Sequence, residues 1–142
     1  MQPSDPNFQQ RIREMFDQQQ MMATLGAVLE EVSPGRVVMR MDHSPRLGQQ
    51  HGFLHAGAVT ALVDSACGFA AATLMPADAQ VLSVEFKVNL LAPATAPGIR
   101  AIGRVERAGR QLTICRGEVT ILGSDKPCAL MQATMIRVPA EG

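Results

Sequence analysis

Gln49-Gln50-His51-Gly52-Phe53-Leu54-His55-Ala56-Gly57-Ala58-Val59-Thr60-Ala61-Leu62-Val63-Asp64, running on from Ser65 to Met75, is the stretch that decides the fold. Its second half is almost unbroken Ala, Val, Leu, Cys, Gly and Phe, and Pro76 closes it. From Ala58 to Met75 no face is polar, and a helix apolar all round is a buried helix. The pattern predicts such a helix from about Gly57 to about Thr73. The run holds a single carboxylate, Asp64. An ionised Asp in a buried helix is costly unless something pairs with it or uses it. The Gly- and His-rich turn ahead reads as a helix start, where unpaired backbone N–H groups can face a ligand oxygen. A reactive site at the start and middle of one helix is the reading these features share.

The chain around this helix is β-rich. Val81 to Leu91 alternates Leu82, Val84, Phe86, Val88 and Leu90 with Ser83, Glu85, Lys87 and Asn89, a strand with one covered face. Further strands are predicted over Ile99–Arg107, Leu112–Leu122 and Cys128–Val138, joined by Gly- and Pro-containing turns. Leu25–Val32 and Val37–Met41 flank Ser33-Pro34-Gly35-Arg36 and read as a hairpin. Short turns make neighbouring strands antiparallel. The prediction is an α+β fold, a curved antiparallel sheet of about six strands wrapped around one long central helix. One sheet covers only one side of that helix, so the other side calls for a second copy, as a dimer or a dimer of dimers. Residues 1–23 read as a tail and one short helix from Asn7 to Met22, with residues 1–6 loose. Residues 24–138 read as one domain.

Composition narrows the function. Thirteen basic and thirteen acidic residues among 142 cancel, which argues against nucleic acid or an anionic membrane as partner. Trp and Tyr are absent, so a base-stacking platform is not expected. The three cysteines form no C-x-x-C pair, which fits a reducing cytoplasm better than a disulfide framework or zinc site. The residues from Met1 to Phe8 lack the layout of a signal peptide. Asp64 argues against reading Ala56–Met75 as a membrane span.

Gly52-x-x-His55-x-Gly57 followed by Asp64, then Gly68, then the strand Ser83 to Leu91 ending in Ala92-Pro93, resembles the hotdog-fold acyl-CoA thioesterases, above all their phenylacetate-degradation branch. The Arg107-Ala108-Gly109-Arg110 turn fits as well, and the resemblance runs from about Leu25 to Val138. It implies hydrolysis of the thioester of an acyl- or aryl-coenzyme A with no metal and no cofactor. On its pattern Asp64 is the nucleophile or general base, and the backbone N–H at Ala56 or Gly57 polarises the thioester carbonyl. His55 and the amide of Gln49 orient that end, and Ser83 helps hold the attacking water. Phe53, Leu54, Phe69, Thr73 and neighbours from two chains would shape the acyl pocket, and Arg104, Arg107 and Arg110 are candidates for the coenzyme A phosphates. This chain departs from the family in having Ala56 where a second Gly is usual and Gln49 where Asn is frequent. A non-catalytic acyl-CoA binding module would keep the groove and lose the acid. A hotdog dehydratase would need a His beside it.

Geometry adds one expectation. At about 1.5 Å rise per residue, Gly57 and Asp64 lie roughly 10 Å apart along the helix. One helix cannot bring both to one reacting carbonyl, whereas two antiparallel helices from two subunits can. The expected site is composite, with Asp64 of one chain facing His55, Ala56, Gly57 and Gln49 of the other.

Overall fold

The predicted central helix, α3, runs from Ala56 to Ala72 in the computed structural model, which describes residues 1–141. His55 starts it. Its backbone is extended (φ −60°, ψ 137°), and its ring Nδ1 accepts the Gly57 N–H at 2.8 Å, a cap made by imidazole instead of the usual hydroxyl or carboxylate. A Cβ at position 57 would lie 3.0 Å from that ring nitrogen, so the glycine makes room for the cap.

Six strands form one sheet: β1 (Val28–Ser33), β2 (Arg36–Asp42), β3 (Ala79–Leu90), β4 (Gly98–Ala108), β5 (Leu112–Ile121) and β6 (Pro127–Pro139). Their spatial order is β1-β2-β4-β5-β6-β3, and every neighbouring pair is antiparallel. The helix lies across one face of the sheet, with Leu62, Val63, Ala66, Cys67 and Ala70 fully buried against it. A buried Leu or Val contributes about 1.5–3 kcal/mol. Two strand glycines set how closely sheet and helix approach. A Cβ at Gly103 would sit 2.3 Å from the Ala66 carbonyl oxygen, and one at Gly117 would sit 2.4 Å from Val63 Cγ2.

Strand β3 departs from strict alternation. Ser83 pairs with Met135 and Glu85 pairs with Thr134, so Val84 is the extra residue of a β-bulge. Before the bulge Ser83 faces the helix and Leu82 faces away. After it Phe86 and Val88, paired with Ala133 and Met131, take the helix side. The predicted single apolar face is therefore split, and Ser83 is on the opposite face from Glu85, Lys87 and Asn89. β3 is also a sheet edge, and its Leu82, Val84, Phe86 and Leu90 are exposed.

The N-terminal segment differs from its prediction twice. Residues 1–6 are tied down where a loose end was expected. Asp5 is buried and holds Arg11 at 2.8 Å, and Arg11 donates to the carbonyls of Ala72 (3.0 Å) and Met75 (2.9 Å). The Ala72 carbonyl, at the last residue of α3, also accepts the Met75 N–H at 3.1 Å, and Met75 lies just beyond the helix, so the guanidinium ties the helix end to the turn that follows it. The single predicted helix is broken at Gln19 (φ −83°, ψ 101°) into α1 (Phe8–Gln18) and α2 (Gln20–Leu25). Phe16 and Met22 are six residues apart, which puts them about 120° out of phase on one helix. The break lets α2 turn Met22 and Leu25 into the apolar cluster that also holds Ile12. No helix among the described residues is long and apolar enough to cross a membrane.

The close approach at Gly103 gives a direct test. Gly103→Ala drives a methyl group into helix backbone, and overpacking of this kind costs about 1–3 kcal/mol. The urea midpoint of the variant should fall accordingly. An unchanged midpoint would mean that sheet and helix are not held this close.

Candidate active site

Asp64 sits midway along α3 on the side the sheet leaves open. Of the helix residues, Ala58, Thr60, Ala61, Asp64, Ser65 and Gly68 are only partly buried, and Ala56 and Gly57 are exposed. They fall three or four apart, so they form a stripe along one face. The carboxylate is half-buried, and its one hydrogen bond among the described residues comes from Ser83, whose Oγ donates to Oδ1 at 2.8 Å. Ser83 Oγ also lies 3.4 Å from the sulfur of Met135. Burial pushes the Asp64 carboxyl above its ordinary range, and the Ser83 hydroxyl works against that rise by favouring the anion. Met15, Gln19, Gly68 and Phe69 complete a small chamber with this pair, and no histidine lines it.

The helix start forms a separate depression about 380 Å³ in volume. Gln49, Phe53, Leu54, Ala56 and the end of β3 through Pro93 line it. The two amides that sequence left undivided are different here. The Gly57 N–H is taken by His55. The Ala56 N–H is the first of the helix and bonds to none of the described residues. Gln49 Oε1 accepts from the His51 N–H, which leaves the Gln49 amide nitrogen as a second donor in the same depression. Phe53 and Leu54 belong to this half, and Leu54 doubles as a core residue. Asp64 is eight residues from Ala56, roughly 12 Å along the axis, and shares neither depression nor lining with it. Asp64 and Ser83 are thus brought together, and so are Gln49, Phe53, Leu54 and Ala56, but one chain does not join the two halves.

The three candidate phosphate ligands do not converge. Gly103 faces α3, so Arg104 points to the opposite side of the sheet, in a row with Arg36 and Arg116. Arg107 follows a bulge in β4 and pairs with Ile114, whose neighbour Cys115 faces the helix, so Arg107 also points outward. Arg110 alone opens into a depression, of about 510 Å³, and it shares that depression with Arg137. Arg137 is two residues along β6 from Met135, on the Asp64 side of the sheet. Sequence reasoning passed over Arg137 because a lone Arg near a strand end carries no local signal.

Other chemistry finds little support. The three cysteines are buried and free, and burial pushes their thiols up, that of Cys115 to about 12, so none is poised as a thiolate nucleophile. Among the described residues no group of three or more His, Cys, Asp or Glu side chains is arranged to hold a metal ion.

A central helix laid on a six-stranded antiparallel sheet is the hotdog arrangement. The chain belongs to the thioesterase superfamily, whose family model matches residues 51–128, and it is a thioester hydrolase. A thioesterase family protein from Silicibacter pomeroyi has a similar structure, with a TM-score of 0.90 at 42% identity over 94% of this chain and 99% of that one. The E. coli PaaI protein from the phenylacetic acid degradation operon matches with a TM-score of 0.85 over 94% of this chain and 95% of that one; at 19% identity this likeness is one of fold. A 1,4-dihydroxy-2-naphthoyl-CoA hydrolase from Listeria monocytogenes is 25% identical over 97 residues, 68% of this chain and 79% of its own.

The raised Asp64 carboxyl makes a stability prediction with a definite sign. The folded state favours the neutral acid, so the wild type loses stability as pH rises through the folded-state value, above the ordinary 3.8. Asp64→Asn cannot ionise. It should melt higher than the wild type at pH 7, with the gap closing as pH falls below the ordinary carboxyl range. Melting curves of both proteins across that range check this, and a wild type that stays the more stable at neutral pH would contradict it.

Proposed function

We propose that this thioester hydrolase acts on an acyl- or aryl-coenzyme A, with Asp64 of one subunit facing Ala56 and Gln49 of its partner. The observation that carries the reading is the division of labour along α3. The half-buried acid has a hydroxyl partner but no oxyanion donor near it among the described residues, and the free Ala56 amide at the helix start has no acid near it. The uncovered stripe on α3 and the exposed apolar side chains of edge strand β3 support a second copy, as a dimer or a dimer of dimers.

In this reading Asp64 acts as general base or as nucleophile. As base, it takes a proton from a water held by Ser83, and the water oxygen attacks the thioester carbon. The electron pair displaced onto the carbonyl oxygen is held by the Ala56 N–H, aided by the Gln49 amide. Such a donor is worth about 3 kcal/mol in the transition state. Collapse expels the coenzyme A thiolate, which recovers the proton from Asp64 as the free acid forms. As nucleophile, the carboxylate attacks directly and water then cleaves the mixed anhydride. Desolvation of Asp64 serves either route, because it raises the basicity of the carboxylate toward working pH. His55 is a positioning residue. Its ring takes the Gly57 amide and so leaves the Ala56 amide as the donor. Arg110 with Arg137 is the pair best placed for the coenzyme A phosphates. No metal or cofactor enters the mechanism, and a cytoplasmic setting agrees with three free cysteines.

Asp64→Asn should lower kcat on the best acyl-CoA by at least about a hundredfold, as measured by thiol release. Ser83→Ala removes a hydrogen bond to the anion, so the acidic limb of its kcat/KM profile should move to higher pH. Wild-type turnover by folded Asp64→Asn would sink the assignment, and a limb that moves to lower pH would remove Ser83 from it.

A further inference from the structure

Gly68 has no evident reason to be glycine. It lies in the interior of α3, where glycine costs up to about 1 kcal/mol relative to alanine. The strand glycines Gly103 and Gly117 are explained by near-contacts with Ala66 and Val63, and Gly57 by the His55 ring. A Cβ on Gly68 would meet nothing within 4 Å, and its backbone is ordinary helix. The missing side chain leaves a space, and the position of that space is specific. Gly68 is four residues after Asp64, one turn along the same face.

The N-terminal helices wall this space. Phe16 meets Phe69 edge to face at 6.2 Å, which seats α1 on the helix just past Gly68. The break at Gln19 turns that side chain inward, where its Oε1 accepts from Ser65 Oγ at 2.9 Å. Met15 and Gln19 thereby line the chamber that holds Asp64 and Ser83. Arg11 fixes the same segment to the end of α3 through the Ala72 and Met75 carbonyls. The wall is a packed element with its own anchors.

We infer that the space over Gly68 is the acyl subsite, closed by Met15 and Gln19 of the N-terminal helices, and that Gly68 and Gln19 set which acyl groups the enzyme accepts. This rests on the acyl-CoA reading above. The chamber measures about 130 Å³. It is smaller than the depressions at the helix start (about 380 Å³) and beside Arg110 (about 510 Å³), which favours a compact acyl group. Phe69, Val81 and Met135 give it apolar walls, in keeping with a hydrocarbon guest.

The test compares acetyl-, butyryl- and octanoyl-CoA by thiol release, with the oligomeric state of each variant measured beside the wild type. Gly68→Val fills the subsite, so the butyryl-to-acetyl ratio of kcat/KM should fall at least about tenfold, which is the scale of discrimination by a methylene or more. Gln19→Ala opens the wall, so the octanoyl-to-butyryl ratio should rise severalfold. Gly68→Ala should melt at or above the wild-type temperature, since nothing obstructs the methyl group. A purely structural role for these residues would move activity on every substrate together and leave the ratios alone. Unchanged ratios in folded variants of wild-type oligomeric state overturn the inference. So does Gly68→Val falling to monomers, which would assign the space to the partner subunit. If the wild type cleaves none of the three and no other acyl-CoA in a wider panel, the underlying acyl-CoA reading has failed; cleavage with unmoved ratios fails the subsite alone.

Discussion

A carboxylate halfway along an apolar helix must be either neutral, paired or used. Among the described residues Asp64 has no cation beside it, and its one hydrogen bond comes from Ser83. That bond exists because β3 carries an extra residue at Val84, which turns Ser83 toward the helix when its strand neighbours Glu85 and Lys87 face away. The sheet can reach Asp64 only because Gly103 and Gly117 let strands β4 and β5 lie against the backbone of α3. A desolvated acid is thus supported by a bulge on one strand and by missing side chains on two others.

The opposite end of the helix carries the complementary charge distribution. A helix start presents free N–H groups and the positive end of the dipole. His55 selects among them by occupying the Gly57 amide and leaving that of Ala56 free. Ala at this position is no handicap, because the donor is backbone and the residue takes an ordinary helical conformation. The helix separates acid and donor by roughly 12 Å, and two-fold pairing of antiparallel helices offers a way to close that gap twice at once.

Much of this was legible in the chain because its signals are local. The unbroken apolar run and its terminating Pro76 define α3, and the alternation in Leu82–Leu90 and its successors defines an antiparallel sheet. The family motif singled out Asp64 as the acid and Ser83 as a residue that helps hold the attacking water. What escaped is non-local. An inserted residue such as Val84 changes strand facing without changing composition. Arg104, Arg107 and Arg110 are close in sequence, but strand alternation and a second bulge send the first two to the far side of the sheet. The anchoring of Asp5 and Arg11 depends on carbonyls more than sixty residues away, which no window on the sequence can show. The break at Gln19 left one trace, the out-of-phase interval between Phe16 and Met22.

The central claim is that acid and donor come from different subunits, and subunit mixing tests it most directly. One inactive variant carries Asp64→Asn. The other carries Ala56→Pro, which removes the free amide at a position where the backbone tolerates proline: it is the first residue of the helix, and His55 before it is already extended. Refolded together at equal amounts, the two should recover roughly a quarter of wild-type activity, because about half the dimers are mixed and each mixed dimer keeps one of two sites intact. No recovery, with exchange of subunits demonstrated, would place donor and acid in the same chain and contradict the shared site.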